Sequence, residues 1–214
     1  MNRPDGRSPD DLRPVRIIPD WLKFAEGSCL IEMGDTRVIC SATVEDRVPP
    51  WRKGSGQGWV TAEYQMIPRA TEVRTPREAR RGNISGRTQE IQRFIGRCLR
   101  AVTDLGGLGE RTVWLDCDVL QADGGTRTAS LTGACVALAL GLQRCVEKKT
   151  IGRVCLNSLV AAVSVVKMEG GLILDPCYVE DSEAEVDINV VRTSLGQFVE
   201  IQGAAEGAPF DRDE

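Results

Sequence analysis

Residues 112–120 alternate, with Val113, Leu115, Cys117 and Val119 on one side and Thr112, Trp114, Asp116 and Asp118 on the other. A period of two predicts a strand with one buried face. Residues 131–145, rich in Ala and Leu, predict a buried helix soon afterwards. The clearest amphipathic helix covers 84–102, where Ile91, Phe94, Ile95, Cys98, Leu99 and Val102 recur at helical spacing. Asn83 or Ser85 can cap it, which puts Arg87 at or near its first turn. Shorter β-type runs cover 28–33 and 36–43, joined through Gly34-Asp35 as a hairpin, and 59–67. Others cover 159–167, 172–175, 184–192 and 197–202. In 184–192, Val186, Ile188 and Val190 take one face and Glu185, Asp187 and Asn189 the other. Residues 1–20 read as a polar lead-in, 46–58 as a loop punctuated by Pro and Gly, and 68–82 as a polar arginine loop. Strands, a long helix, then the same again imply an α+β fold with two similar halves, although no internal repeat is strong enough to prove duplication.

Composition narrows the class. With 42% hydrophobic and 27% charged residues, the 214-residue chain is expected to form one globular domain over 1–214. No apolar run is expected to span a membrane, and the lead-in is not a signal peptide, so the expected location is cytoplasmic. Eight cysteines show no C-x-x-C spacing and sit mostly among apolar residues, as reduced core residues do. The chain has no histidine. That excludes Ser-His-Asp hydrolysis, histidine metal sites and the two-imidazole route to RNA cleavage. Carboxylate, guanidinium, ammonium, hydroxyl and thiol remain, a set suited to phosphoryl transfer, which depends mainly on positioning and charge stabilisation.

The candidate chemistry gathers at Gln121-Ala-Asp-Gly-Gly-Thr-Arg-Thr-Ala-Ser130, between the alternating strand and the apolar helix. Gly124 and Gly125 let successive N–H groups converge, the helix start carries partial positive charge, and Arg127 adds a planar fork. The combination suits a phosphate. Arg87 brings a second guanidinium to a second helix start. The net charge of −4 argues against nucleic acid, but its distribution does not: nine arginines stand against three glutamates over 69–100, and seven acids without a base over 169–187. Arginines of the 68–82 loop can neutralise backbone phosphates, or simply form a solvated face. Arg93, Arg97 and Arg100 share a helix face and fit salt bridges or subunit contacts better than substrate. Asp181, placed in a loop, and Asp187, in a strand, are either a magnesium-holding pair or part of a hydrated acidic edge. Glu180, Glu183 and Glu185 fit the acidic edge better.

These residues also carry a resemblance. Asp5-Gly6-Arg7 with Leu12-Arg13-Pro14 and Val44-Glu45-Asp46-Arg47-Val48-Pro49-Pro50 open the pattern. Ile84-Ser85-Gly86-Arg87-Thr88 with Glu90-Ile91-Gln92-Arg93, the Gln121–Thr128 stretch, and Glu180-Asp181-Ser182 with Ala184-Glu185-Val186-Asp187 complete it. In this order, over nearly the whole chain, they resemble the ribonuclease PH family, relatives of polynucleotide phosphorylase and the exosome ring subunits. The resemblance implies an α+β ribonuclease PH-like fold (ribosomal protein S5 domain 2-like), with mixed sheets and packed helices. It implies a phosphate-dependent 3′-to-5′ exoribonuclease that trims transfer-RNA precursors and other RNA 3′ ends, ribosomal RNA among them. Such an enzyme releases nucleoside diphosphates, runs in reverse as a nucleotidyltransferase and uses Mg2+. A homo-oligomer, a hexamer built as a trimer of dimers, is implied as well.

By position, Arg87, Gly125, Thr126 and Arg127 would bind phosphate, Asp181 and Asp187 would be the catalytic and magnesium carboxylates, and Arg69, Arg74 and Arg77 would hold transfer-RNA. The family continues with a long C-terminal helix where this chain stops at Pro209-Phe210-Asp211-Arg212-Asp213-Glu214. A helix start capped by Asp211 is expected there, with part of the sheet or an interface left exposed. Two other readings stand beside the phosphorolytic one. A metal-dependent hydrolytic exonuclease would not need phosphate, and a non-catalytic RNA-binding ring subunit would typically lack the arginines or acids that are all present here.

Overall fold

The computed structural model describes residues 3–169 and 171–211, apart from the side chains of Ala79 and Arg81. The first half builds a sheet from β1 (Val15–Pro19), β2 (Gly27–Met33), β3 (Thr36–Glu45), β4 (Trp59–Met66) and β5 (Thr112–Gln121), ordered β1-β2-β3-β5-β4. β4 runs parallel to β5, and the other neighbours pair antiparallel. The parallel pair follows from the crossover through α1 (Gly86–Val102) and the short α2 (Leu105–Leu108), because a tight turn cannot join parallel strands. α3 (Thr126–Glu147) leads to an antiparallel sheet of β6 (Val160–Met168), β7 (Gly171–Leu174), β8 (Val186–Thr193) and β9 (Phe198–Ala205), ordered β7-β6-β8-β9. The short helix α4 (Tyr178–Ser182) joins β7 to β8. The architecture is α+β, as the alternation of patterns predicts.

α3 is the central element, packing on β2, β3 and β5 of one sheet and β6 of the other. Its length and composition would suit a membrane span, contrary to the expectation that no apolar run reaches that length. Most of it is enclosed between the sheets, and its apolar surface is that of a core helix. α1 packs on β4, and its predicted stripe from Ile91 to Val102 is buried. All eight cysteines are free, and seven are buried.

Three expectations need correction. Residues 15–19, assigned to the polar lead-in, form β1, an exposed edge strand with no alternation to betray it. Asp181 sits in α4, not in a loop. The two faces of β8 are grouped as the alternation gives them, and both are covered: Val186, Asn189 and Val191 are buried, and Asp187, Ile188 and Val190 half-buried. Glu180 is not on a hydrated edge; it is buried and ion-paired with Arg3 at 2.8 Å. Residues 209–211 form no regular element, and the rest of the expected helix start lies outside the described residues.

Buried ions tie the amino-terminal segment to the second half. Arg13 forks onto Asp175, with Nε 3.0 Å from Oδ2 and Nη2 2.7 Å from Oδ1, and its backbone N–H donates to Oδ2 at 2.8 Å. Arg13 also donates to the Asp123 carbonyl, and Thr36 Oγ1 donates to the Gly124 carbonyl at 2.7 Å. Arg3 donates to both Glu180 carboxylate oxygens and, at 3.0 Å, to the Asp175 carbonyl. Removing one member of a buried pair strands the other. Asp175→Asn keeps a residue that tolerates the local φ of +51° and is expected to lower stability by about 3–5 kcal/mol in urea unfolding. A loss under about 1 kcal/mol would contradict this role.

Candidate active site

Two helix starts are built alike by different means. Ser85 caps α1, its Oγ accepting from the Thr88 N–H at 3.2 Å, so Arg87 is the second residue of that helix. Gly125 caps α3 in the left-handed region at φ +63°, so Arg127 is likewise the second residue. Gly124 precedes it at φ +71°, and a Cβ there would meet the Pro176 carbonyl oxygen at 2.5 Å. Only glycine fits that approach.

Arg127 is half-buried and held on several sides. Its Nη2 pairs with Glu90 at 2.9 Å, its Nη1 donates to Gln202 Oε1 at 2.6 Å, and its guanidinium lies 5.8 Å from the Phe94 ring centroid. Gln202 Nε2 in turn donates to Glu90 at 3.2 Å. β9 of the second half thereby orients a cation from the first. Tyr64, buried on β4, shares a 2.9 Å hydrogen bond with Thr126 Oγ1 at the start of α3. Burial pushes its phenol upward, while the charges of Arg87 and Arg127 pull it down. Arg87 is exposed and lines a cleft of about 280 Å³ with Tyr64, Thr75 and Pro76.

The carboxylates face this cationic side. Asp187 lies on β8, where its Oδ2 accepts from Asn189 Nδ2 at 3.1 Å, and Asn189 Oδ1 accepts from Ser164 Oγ at 2.9 Å. Asp187 Oδ1 is buried and has no hydrogen-bond partner among the described residues. Asp181 reaches the site from α4, whose first turn is fixed by Glu180 accepting from the Cys177 N–H at 2.9 Å. Burial holds both carboxyls above the usual carboxylate range. Asp181 is pushed further by the charge of Asp187, and Arg87 and Arg127 pull both acids back down. One neighbourhood therefore holds two guanidiniums from separate helix starts and two carboxyls that burial keeps from ionising easily.

The sequence-predicted residues Arg87, Gly125, Thr126, Arg127, Asp181 and Asp187 thus come together from both halves. Arg69, Arg74 and Arg77 are exposed on the adjoining loop, whose Thr75 and Pro76 share the Arg87 cleft. Arg97 pairs with Glu200, and Arg100 donates to the Val60 carbonyl at 2.8 Å. Tyr64, Glu90, Gln202 and Asn189 escaped sequence reasoning. Their partners lie up to 112 residues away, and no local pattern reports such pairings.

Comparison with known proteins decides the family. Residues 11–141 match domain 1 of the 3′ exoribonuclease family, and residues 158–214 match domain 2. The chain belongs to the ribonuclease PH family of 3′ exoribonucleases. This family member is 58% identical to the ribonuclease PH of Bacillus mycoides (strain KBAB4) over 213 residues, 99% of this chain and 87% of that protein. It is also 58% identical to that of Bacillus cereus (strain AH187), over 98% of this chain and 86% of the relative. Its fold is shared with the Archaeoglobus fulgidus exosome solved with RNA bound to the active site, at a TM-score of 0.83 and 24% identity over 99% of this chain and 85% of that one. An archaeal exosome core superposes with a TM-score of 0.76 at 23% identity, over 98% and 81% of the respective chains.

A raised carboxyl pKa has a definite sign in stability. The folded state binds the proton more tightly than the unfolded state, so the contribution is full below the unfolded pKa and lost as pH rises through the folded one. Asp181→Asn removes the charged form that burial and Asp187 disfavour. In the absence of ligands it is expected to be more stable than the parent at pH 7, with the advantage shrinking toward about pH 4. Urea midpoints at the two pH values measure this, and a variant less stable at pH 7 would contradict the reading.

Proposed function

We propose that Arg87, Arg127 and the α3 start hold inorganic phosphate against the 3′-terminal phosphodiester of an RNA, and that Asp181 and Asp187 serve the same reaction from the opposite side. What supports this is that the charges of Arg87 and Arg127 both act on Asp181 and Asp187, and that Gln202, which holds Arg127, pairs across the sheet with Asn189, the residue that holds Asp187. The chain's 58% identity to relatives named ribonuclease PH supports a phosphate-dependent 3′ exoribonuclease of transfer-RNA processing, and the site chemistry suits that reaction. A phosphate oxygen attacks the phosphorus of the last linkage, the bond from phosphorus to the 3′ oxygen of the preceding nucleotide breaks, and that oxygen takes up a proton. A nucleoside diphosphate leaves, and the reverse direction adds a nucleotide. Phosphate is already an anion, so attack needs little help from a base. The main obstacle is repulsion between two anions, which fixed guanidiniums and helix-start N–H groups offset.

Magnesium fits the acid side. The unpartnered Asp187 Oδ1 and the neighbouring Asp181 are hard oxygen donors, and a cation bound by one or two carboxylates with substrate phosphates completing its shell is the usual arrangement. No cluster of three or more His, Cys, Asp or Glu ligands exists among the described residues, which suits a cation shared with substrate better than a closed cage. When bound, magnesium supplies charge that offsets the scissile phosphate and the leaving oxygen. The raised carboxyl pKa values also suit either acid for delivering a proton to that oxygen.

The exposed Arg69, Arg74 and Arg77 lie beside the cleft and suit transfer-RNA backbone contact. We extend the reading to a homo-oligomeric ring, a hexamer. Its support is the likeness to exosome cores and the exposed Leu12, Val15 and Ile17 beside β1, which a second copy would cover. Both matched segments contribute residues to one site, which supports treating the chain as a single functional domain.

RNA with a short 3′ tail, incubated with and without phosphate, is expected to yield nucleoside diphosphates only with phosphate and magnesium. Monophosphates formed equally well without phosphate would establish hydrolysis instead. Asp187→Asn is expected to lower kcat by at least about a hundredfold with RNA binding retained. Full activity in that variant would remove the carboxylate from the mechanism. Neutralising Arg69, Arg74 and Arg77 together is expected to weaken transfer-RNA binding and lower its salt slope by about 2–3, with little effect on very short RNA. Equal losses on both substrates would contradict a transfer-RNA role.

A further inference from the structure

At the start of α3 two hydroxyls share a single bond. The Tyr64 phenol and Thr126 Oγ1 lie 2.9 Å apart, and neither oxygen has a second hydrogen-bond partner among the described residues. Both residues are buried. Each hydroxyl carries one hydrogen, so one hydrogen serves the bond and the other is left without an acceptor. A buried donor in that state is costly unless a ligand takes it.

The chemistry of the two groups decides which hydrogen is used. A phenol is more acidic than an aliphatic alcohol, because the ring draws electron density from its oxygen. It is therefore the better donor and the poorer acceptor. Burial keeps the proton on Tyr64, and the charges of Arg87 and Arg127 make the phenol a stronger donor still. Tyr64 donates and Thr126 Oγ1 accepts. The remaining hydrogen is then that of Thr126, the first residue of α3, whose backbone N–H is one of the donors a helix start leaves unpaired. Two donors of one residue meet at the positive end of the helix.

The phenol is held firmly enough to impose this direction. Tyr64 stands level with Cys117 on β5, and Cys117 with Cys40 on β3. The thiols of Cys40 and Cys117 both donate to the Ser130 carbonyl, at 3.7 and 3.8 Å, one turn further along α3. One rung of the sheet therefore grips the start of the helix, with Tyr64 at its first residue. We propose that Tyr64 is a positioning residue for phosphate: by donating to Thr126 Oγ1 it aims the threonine hydrogen at the bound anion. The role rests on the α3 start being the phosphate site. Tyr64 need not touch phosphate itself. The anion completes a chain from phenol to threonine to phosphate, in which each bond polarises the next and the last is strengthened by charge.

Tyr64→Phe removes one oxygen and keeps the ring. Binding of inorganic phosphate to RNA-free protein, read by titration calorimetry, is expected to weaken about three- to tenfold, the range for one neutral hydrogen bond. The phosphate KM should rise by a similar factor, and by more than kcat falls. Thr126→Val removes the hydroxyl and should weaken phosphate binding about tenfold or more, whereas Thr126→Ser should bind more tightly than Thr126→Val. The decisive arm is Tyr64→Phe made in the Thr126→Val background. It should cause no further loss of phosphate affinity and should recover stability in urea, because the phenol stranded by valine is gone. Unchanged phosphate affinity in Tyr64→Phe, or the same loss in both backgrounds, would overturn the role, the second result assigning Tyr64 to packing alone. So would a raised RNA KM with the phosphate KM unchanged, which would place Tyr64 against the RNA. A parent that binds phosphate but releases no nucleoside diphosphate would sink the proposed reaction while the binding arm still reports on Tyr64. A parent that binds no phosphate would remove the site and the role together.

Discussion

Charges that are costly to hold apart become affordable when four of them are fixed in one place. Arg87 and Arg127 bring cationic ends of two helices together, and like charge drives them apart unless an anion intervenes. Asp181 and Asp187 are partly buried and repel each other, so neither ionises easily alone. Set near one another, each pair lowers the other's cost without cancelling it. Glu90 and Gln202 hold Arg127 without consuming the cationic character of the neighbourhood, because Arg87 stays exposed and unpaired among the described residues. A phosphate beside a phosphodiester is the kind of ligand that such a half-compensated set would take.

The rest of the fold serves that opposition. α3 runs between the sheets with its positive end at the cleft, and the turn before it is held from three directions, by Thr36, by Arg13 and by the close approach of Pro176 to Gly124. The same Arg13 grips Asp175, just before α4, so one guanidinium fixes both the phosphate-suited turn and the approach to the helix that carries Asp181. Arg3 fixes Glu180, the residue next to Asp181. Buried ion pairs are weak evidence for stability against an apolar alternative, but they hold geometry well when most donors find acceptors, as those of Arg3 and Arg13 do.

Much of this was legible in the sequence because the signals are local. The alternation of 112–120 is β5, and the stripe from Ile91 to Val102 is the buried face of α1. The Gly-Gly turn and the Ser85 cap mark the two helix starts, and the resemblance ranked the acids. What escaped is tertiary. β1 is an edge strand whose exposed residues carry no period, and Glu180 resembles its solvated neighbours until Arg3 arrives from 177 residues away. That both faces of β8 are covered, Val186 on one and Asn189 and Val191 on the other, follows from what packs on each side of the second sheet, which a period of two cannot report. Tyr64 and Gln202 carry no motif, and only the meeting of the two halves gives them work.

Whether Arg87 and Arg127 share one anion is tested most directly by a double-mutant cycle on phosphate. The KM for phosphate would be measured for the parent, Arg87→Ala, Arg127→Ala and the double variant on one short RNA. Two guanidiniums on a common anion should be coupled by at least about 1 kcal/mol, so that the double variant differs from the sum of the singles by fivefold or more. Strict additivity, within about 0.3 kcal/mol, would place the two arginines on separate ligands and contradict the account.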